Sequence, residues 1–155
     1  MSNLQVGDQA PFFSEKNQNG KIVSLSDYKQ QKIILYFYPK DNTPGCTNQA
    51  CDLRNHYSKF IQDGFNIIGV SPDDVDTHCK FIDKFQLPFN LIADVDKKIC
   101  TAYGVFGKKR FMGKEYYGVH RTTFIINRDS IIEKIFTKVK TKEHSLQILE
   151  SYINN

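Results

Sequence analysis

Two cysteines lie five residues apart in the stretch 32–54, and the residues before the first of them indicate thiol chemistry. The apolar run before Pro39 predicts a buried strand, and Pro39 should end it because proline has no N–H to donate. Thr43 is a typical helix N-cap and Pro44 a typical first helical residue, so Cys46 falls in the first helical turn. Unpaired backbone N–H groups and the helix dipole favour an anion there. Many free cysteines are simply small buried hydrophobes, but this order of residues favours a reactive thiolate at Cys46.

Cys51 can pair with Cys46 only if the predicted helix changes shape. Five residues on a helix correspond to about 140° of rotation and about 7.5 Å of rise, which places the two Cα atoms roughly 8.7 Å apart. A disulfide needs Cα atoms within about 7 Å of each other and converging Cβ vectors. A disulfide between these thiols would therefore require the first turns to unwind, and it would act as a conformational switch. The spacing leaves open the alternative that Cys51 is a buried helix residue beside Ala50.

The segment YFYPKDNTPGCTNQACDLR resembles the active-site signature of peroxiredoxins, Pro-x3-Thr-x2-Cys, which is present here as Pro39, Thr43 and Cys46. The further cysteine, Cys51, is similar to the one found in the Q-type, or bacterioferritin comigratory protein, subfamily of the AhpC/TSA family. The resemblance covers nearly the whole chain. It departs from the family at Gln49, where many relatives have a glutamate three residues after the reactive cysteine.

A second block, GVHRTTFIIN over 118–127, supports the resemblance. It is similar to the peroxiredoxin segment in which an arginine enters the active site from a strand edge, and the matching residue is Arg121. A guanidinium is always charged and offers a planar fork of donors, so it can stabilise a thiolate and hold a peroxide oxygen. Without the Cys46 segment, Arg121 would be a surface arginine at a strand end. Side chains alternate along a strand, so His120 should point away from the thiol.

The resemblance implies a thiol-dependent peroxidase that reduces hydrogen peroxide and organic hydroperoxides. Cys46 would be the peroxidatic cysteine and would pass through a sulfenic acid, and Cys51 would resolve it as an intramolecular disulfide. Thr43 would hydrogen-bond the thiolate and the peroxide, Arg121 would stabilise negative charge, and Pro39 would shield the pocket from water. Thioredoxin or a similar dithiol would restore both thiols. The resemblance implies no metal, haem, flavin or other cofactor, and it implies a monomer.

The composition sets limits on the class of protein. The 155 residues, 40% apolar and 25% charged, predict one globular domain over 1–155. The net charge of +4 is spread along the chain, which argues against nucleic acid as a partner. The N-terminal segment does not resemble a signal peptide, and no stretch approaches about 18 consecutive apolar residues, so no membrane association is expected. Four cysteines without a secretory signal favour a reducing compartment, and we expect the cytoplasm.

The order of apolar runs predicts an α/β fold. Asn19-Gly20 between two β-like runs is typical of a hairpin. Strands that alternate with helices, followed by a closing hairpin and a helix, predict a three-layer sandwich. The resemblance specifies a thioredoxin-like fold with a central mixed sheet and the N-terminal β-hairpin as an extension.

Turn and cap residues predict where the elements begin and end. The helix that starts at Thr43 should run to about Gln62 and end at Gly64. Asp94 should cap a helix over 95–103, and the glycine-rich segment 104–121 should be a loop. The other expected elements are a short helical turn around Tyr28, strands over 66–71, 87–93 and 131–137, a helix over 73–85 and a C-terminal helix from about Lys142.

The remaining cysteines and His56 carry no clear signal of chemistry. Cys79 and Cys100 lack a thiol, a histidine pair or a basic cluster at a meaningful spacing, so we interpret both as structural. His56 lies ten residues beyond Cys46, roughly 15 Å along a continuous helix, which is too far for a base.

Three other functions are compatible with parts of the pattern. A thiol–disulfide oxidoreductase would need a C-x-x-C pair, which the chain lacks. The C-x4-C spacing is suggestive of a metal or iron–sulfur module, but Cys79 and Cys100 lie on separate predicted elements. A redox sensor would use the same switch between Cys46 and Cys51 to signal to a partner, and turnover with a reductant would distinguish it from a peroxidase.

Overall fold

The computed structural model describes residues 3–153, and a mixed five-stranded sheet lies at its centre. The strands are β1 (Ser14–Lys16), β2 (Ile22–Ser24), β3 (Lys32–Phe37), β4 (Phe65–Ser71), β5 (Asn90–Ala93), β6 (Phe106–Phe111), β7 (Lys114–Val119), β8 (Thr122–Ile126) and β9 (Ile132–Phe136). The helices are α1 (Pro44–Asn55), α2 (Tyr57–Gln62), α3 (Val75–Phe85), α4 (Lys98–Ala102) and α5 (His144–Ile153), with a 3-10 turn at Leu25–Tyr28.

β3 is the middle strand of the sheet, whose order is β5-β4-β3-β8-β9. It is parallel to β4 and antiparallel to β8, and its apolar side chains are buried on both faces. Phe37 at the end of β3 pairs with Thr122 at the start of β8. This register places the segment after β3 next to the residue before β8. The loop to Cys46 and the backbone of Arg121 therefore meet at the same end of the sheet.

The sheet has a buried core on each face. One face, with Ile34 and Tyr36, packs against α1, α2, α3 and α5. The other, with Leu35 and Phe37, packs against α4 and residues from the N-terminal hairpin β1–β2. These layers confirm the expected α/β sandwich with a mixed sheet, and the hairpin turns where Asn19-Gly20 predicts it. No helix in residues 3–153 is both long and apolar enough to cross a membrane.

The prediction of one helix from Thr43 to about Gln62 was wrong, because the helix breaks at His56. The His56 N–H bonds to the carbonyl of Leu53, one residue later than α-helical pairing requires. The carbonyl of Asp52 instead accepts from His56 Nδ1 at 3.0 Å and from Ser145 Oγ at 3.2 Å. Side chains thus replace a helical bond at the break, and α2 follows as a separate helix.

The prediction of a loop over 104–121 was also wrong, because this segment contains the hairpin β6–β7. Met112 and Gly113 form the turn between the strands, with φ values of 52° and 79°. Two consecutive positive φ values are typical of a tight β-hairpin turn. Most side chains of the hairpin are at least partly exposed, so its strands lack the apolar alternation by which strands are recognised in a sequence.

Several predicted elements are present with shorter bounds. The helix expected over 73–85 begins at Val75, and Asp74 caps it by accepting from Thr77 N at 2.8 Å. The helix expected over 95–103 is reduced to α4. Asp94 nevertheless accepts from the N–H groups of Ile99 and Cys100 in the first turn of α4, at 3.0 and 2.8 Å. The strand expected over 87–93 begins only at Asn90, after Pro88.

Candidate active site

Cys46 lies in the first turn of α1, directly beyond the carboxyl end of β3. Its side chain is buried, with 2% of the residue exposed, and belongs to the core under α1. Thr43 occupies the N-cap position, with φ −98° and ψ 156°. Cys46 and Cys51 are both free thiols, and α1 is helical from one to the other. A disulfide between them therefore requires α1 to change conformation.

The structure brings Arg121 to the sulfur of Cys46. Arg121 Nη2 donates to Cys46 Sγ at 3.3 Å, and Nη1 donates to Gln49 Oε1 at 2.7 Å. Gly45 leaves room for this arrangement, because a Cβ at that position would lie only 3.2 Å from Nη2. The guanidinium is thus held by two contacts on one helical turn, with a positive charge directed at the thiol.

Gln49 has its amide orientation determined by Arg121, because a guanidinium can only donate and so must face the amide oxygen. Gln49 is fully buried, and its Nε2 has no hydrogen-bond partner among residues 3–153. The Tyr36 hydroxyl on the same side of the sheet is likewise buried and unpartnered in that range. A glutamate carboxylate can accept from the guanidinium in the same way, so either residue supplies the acceptor that holds Arg121 beside Cys46.

Thr43 is the N-cap residue of α1, as the sequence predicts, but its side chain does not make the usual capping bond. Its backbone carbonyl accepts from Thr47 N at 2.8 Å, but its hydroxyl donates to the carbonyl of Lys40 at 2.8 Å. The hydroxyl proton is therefore engaged within the loop, and the oxygen lone pairs remain free to accept a bond. Pro39 lies half-buried at the start of this loop.

Lys109 on β6 adds a second positive charge near the site, which the sequence did not predict because its segment was interpreted as a loop. Its Nζ donates to the carbonyl of Val119 at 2.9 Å, two residues before Arg121. Partial burial and the Arg121 guanidinium lower the pKa of Lys109, and Cys46 opposes this shift. Lys109 is therefore close enough to interact electrostatically with both groups.

A buried hydrogen-bond network fixes the loop that leads to Cys46. Asp41 accepts from the Tyr38 hydroxyl at 2.5 Å, and its other oxygen lies 2.6 Å from His78 Nδ1. His78 Nε2 lies 3.0 Å from the carbonyl of Ile92, and a carbonyl can only accept, so Nε2 carries a proton. Burial and nearby acidic groups, Asp41 among them, raise the pKa of Tyr38 well above its ordinary value, so Tyr38 remains a donor. The loop is thus held by Tyr38 directly after β3, by α3 and by β5.

The acidic groups of this network are within reach of one another but already have hydrogen-bond partners. Ligand atoms of Asp41, Asp73 and His78 all lie within 4.8 Å of each other. Asp73 accepts from Ser71 Oγ at 2.6 Å and from the Asp41 N–H at 2.8 Å. Both ring nitrogens of His78 are also engaged, so the arrangement matches a hydrogen-bond network rather than a set of free metal ligands.

Cys51 is half-buried one residue before Asp52, on the outer side of α1. It contributes to a shallow surface depression of about 180 Å³. The residues that line this depression are Asn48, Cys51, Asp52, Asn55 and Lys142. A small molecule or another protein can therefore approach this thiol from solvent, whereas Cys46 is buried.

The other two cysteines lie in different surroundings. Cys100 is fully buried, and burial, with Asp94 next in importance, raises the pKa of its thiol far above the ordinary value. Cys79 is on α3. Lys84 of the same helix donates to Asn42 Oδ1 at 3.3 Å, so the side of α3 that carries Lys84 faces the loop that leads to Cys46. Cys79 is five residues before Lys84, about 140° around the helix. Its side of α3 therefore points away from that loop.

Neither His56 nor His120 is arranged as a base for Cys46. His120 Nε2 donates to the carbonyl of Lys108 at 3.1 Å, so its ring is directed towards β6. His56 bonds to the carbonyl of Asp52 at the break after α1. It therefore has a structural role that the sequence did not predict.

Comparisons with known proteins agree with the fold. The profile of the AhpC/TSA family matches residues 6–135. Peroxiredoxin Bcp of Bacillus subtilis is 44% identical over 148 residues, which cover 96% of this chain and 94% of the relative. The structure of a PrxQ variant of Xylella fastidiosa is similar with a TM-score of 0.92 at 30% identity, covering 99% of this chain and 98% of the other. The bacterioferritin comigratory protein of Xanthomonas campestris is similar with a TM-score of 0.87 at 30% identity, covering 97% and 96%.

The relative and the two structures match almost the whole chain, and the structures agree with the α/β sandwich and its mixed sheet. The chain therefore belongs to the AhpC/TSA family and is a peroxiredoxin of the Bcp type, a thiol-dependent peroxidase.

Proposed function

We propose that Cys46 is the peroxidatic cysteine and that Arg121 stabilises its thiolate. The observation that carries the proposal is the 3.3 Å contact between Arg121 Nη2 and Cys46 Sγ at the start of a helix. The thiolate attacks the terminal oxygen of the hydroperoxide, and the O–O bond breaks. The cysteine becomes a sulfenic acid, and the departing oxygen takes up a proton and leaves as water or alcohol.

Thr43, Arg121 and Pro39 prepare the site for this attack. Because the Thr43 hydroxyl donates to the carbonyl of Lys40, its oxygen is available to accept a hydrogen bond from the O–H of the incoming hydroperoxide. Arg121 can then share its donors between sulfur and the peroxide oxygen as negative charge moves from one to the other. Pro39 covers the site against water from the loop side.

The proposed substrates are hydrogen peroxide and organic hydroperoxides. The Xanthomonas campestris relative is described as reducing alkyl peroxides. The attacked group is the same hydroperoxide end in either class, so one arrangement of thiolate and donors serves both.

We propose Cys51 as the resolving cysteine. Its thiol attacks the sulfenic sulfur of Cys46, the S–S bond forms, the S–O bond breaks and water leaves. Cys51 is half-exposed, whereas Cys100 is fully buried and Cys79 points away from the loop. Thioredoxin or a similar dithiol then reduces the disulfide by exchange.

The protein is proposed to act as a monomer in the cytoplasm. Cys46, Cys51, Thr43 and Arg121 all come from one chain, so the proposed cycle needs no second subunit. The proposed cycle needs a dithiol reductant such as thioredoxin, which a reducing compartment supplies.

Stoichiometric oxidation tests the two cysteine assignments. One equivalent of peroxide should convert the wild type to a form with a Cys46–Cys51 disulfide, identified by peptide mass spectrometry. Cys51→Ser should instead stop at a sulfenic acid on Cys46 that dimedone traps, and Cys79→Ser, the control, should behave as wild type. A disulfide that joins Cys46 to Cys79 or Cys100 would refute the assignment of Cys51.

A further inference from the structure

Asp52, the residue after Cys51, links α1 to the start of α5. Its Oδ2 accepts from the backbone N–H of Ser145 at 2.6 Å, and its side chain is only 12% exposed. Ser145 lies in the first turn of α5, where backbone N–H groups have no partner within the helix. Asp52 therefore does for α5 what an N-cap side chain normally does, but from another helix.

The backbone of Asp52 is bound at the same point. Its carbonyl accepts from His56 Nδ1 at 3.0 Å and from Ser145 Oγ at 3.2 Å. Both the side chain and the carbonyl of one residue are thus engaged, and two of these bonds come from Ser145. Asp52, which follows the proposed resolving Cys51, is therefore held by more hydrogen bonds than helical pairing alone would supply.

The start of α5 is in turn fixed to the strand that follows Arg121. His144 is fully buried, with Nε2 2.8 Å from Thr123 Oγ1 on β8 and Nδ1 2.9 Å from Gln147 Oε1. Ile148 on the next turn is fully buried in the core under α1. Ser145, to which Asp52 bonds, is therefore part of a helix start that is anchored in the core, and it does not follow a movement of α1 easily.

This attachment restricts Cys51. On an intact helix the Cα atoms of Cys46 and Cys51 are roughly 8.7 Å apart, and a disulfide needs them within about 7 Å. Consecutive Cα atoms are about 3.8 Å apart, so a displacement of Cys51 pulls Asp52 with it. A hydrogen bond between N–H and oxygen is lost once the separation exceeds roughly 3.5 Å. The Ser145 N–H lies 2.6 Å from Asp52 Oδ2, so a movement of Asp52 that adds about 1 Å to this separation breaks the bond.

We propose that Asp52 is a positioning residue that sets the rate of the resolving step by holding Cys51 on the intact helix until its bonds to α5 break. The inference rests on the proposed Cys46–Cys51 disulfide. Asp52 does not affect the attack of Cys46 on peroxide. By setting the rate of the resolving step, Asp52 also sets the lifetime of the sulfenic acid. A longer lifetime gives a second peroxide more time to oxidise Cys46 to the sulfinic acid.

Rapid-quench oxidation tests the inference by timing the two steps separately. Reduced protein is mixed with one equivalent of hydrogen peroxide and quenched at intervals, and mass spectrometry measures the sulfenic acid and the disulfide. Asp52→Ala removes the acceptor for Ser145. We expect about fivefold faster disulfide formation, the size of effect that loss of one capping bond predicts, with an unchanged rate of Cys46 oxidation. The sulfinic fraction at excess peroxide should fall in proportion.

Two variants complete the test. Asp63→Ala removes a carboxylate that pairs with Lys59 on the surface of α2, and it should leave both steps at the wild-type rate. Asp52→Asn keeps an acceptor oxygen but loses the charge, so its disulfide should form faster than in wild type and more slowly than in Asp52→Ala. It also provides the comparison if Asp52→Ala does not fold.

Disulfide formation at the wild-type rate in Asp52→Ala would overturn the inference, because unwinding would then end before residue 51. Slower formation would overturn it as well, because Asp52 would then hold Cys51 in place for attack. If the wild type forms no Cys46–Cys51 disulfide, the proposed resolving role of Cys51 fails instead, and this outcome is visible before any Asp52 variant is compared.

Discussion

Arg121 Nη2 lies 3.3 Å from Cys46 Sγ, although the two residues are 75 positions apart in the chain. The pairing of β3 with β8 brings them together, because Phe37 lies opposite Thr122 at the edge from which both segments leave the sheet. Gln49 holds the other terminal nitrogen of the guanidinium. The orientation of one planar side chain thus joins the helix that carries the thiol to the central sheet.

Arg121→Lys should slow the reaction of Cys46 with hydrogen peroxide by about a hundredfold, the usual loss when one donor to a developing charge is removed. Lysine keeps the positive charge but cannot contact sulfur and amide oxygen at once. Stopped-flow competition kinetics would measure the second-order rate constant. Arg110→Lys, which alters an exposed pair with Glu115, is the matched control and should change nothing. Equal rate constants in the two variants would contradict the role of Arg121.

Gln49→Leu should lower the same rate constant by about tenfold or more, because Arg121 loses the acceptor that orients it. Gln49→Glu restores an acceptor and should keep the rate within about threefold of wild type. The same competition assay compares the two. Loss of activity in both variants, or in neither, would show that Gln49 does not act through the orientation of Arg121.

His78→Ala should destabilise the fold by about 3–5 kcal/mol, because it removes one of the two side-chain partners of the buried Asp41 carboxylate and leaves the space of a buried ring empty. Tyr38→Phe removes only one hydrogen bond to the same carboxylate and should lower stability by about 1–3 kcal/mol. Urea unfolding at neutral pH would measure both. His120→Ala removes a ring that bonds to the carbonyl of the exposed residue Lys108, and it should have an effect below about 1 kcal/mol. A similar effect for all three variants would argue against the network.

The thiol site was predictable from the sequence where its parts are contiguous. Thr43, Pro44 and Cys46 follow one another, so local capping rules place the cysteine in the first helical turn. The Asp41–His78 and Asp52–Ser145 pairs were not predictable, because 37 and 93 residues separate their members. Whether such groups meet depends on how the helices lie over the sheet, which no local pattern specifies.

The wrong element boundaries have the same origin. The sequence around His56 is compatible with a continuous helix, and one of the two side chains that bond to the Asp52 carbonyl at the break is Ser145, a residue of α5. The hairpin β6–β7 lacks a buried face, so its strands lack the apolar alternation from which strands are predicted. The role of Thr43 likewise depends on the position of the Lys40 carbonyl, which sequence rules for N-caps do not include.

His144 should make the stability of the fold fall in mild acid. Burial lowers the pKa of His144 below its ordinary value of 6.5. Between the two pKa values the unfolded chain binds more protons than the folded chain, so the free energy of unfolding decreases as the pH falls below about 6.5. Urea unfolding between about pH 7.5 and about pH 5.5 would measure the decrease, and His144→Gln should show a smaller one. An equal decrease in the variant would contradict this assignment.

The most direct test of the account is peroxide consumption coupled to thioredoxin, thioredoxin reductase and NADPH. Wild type should turn over continuously, Cys46→Ser should be inactive, and Cys51→Ser should reduce one peroxide per thiol and then stop. Continuous turnover by Cys46→Ser, or no peroxide consumption by wild type with any dithiol, would contradict the central claim that Cys46 is the reacting thiol of a reductant-driven peroxidase.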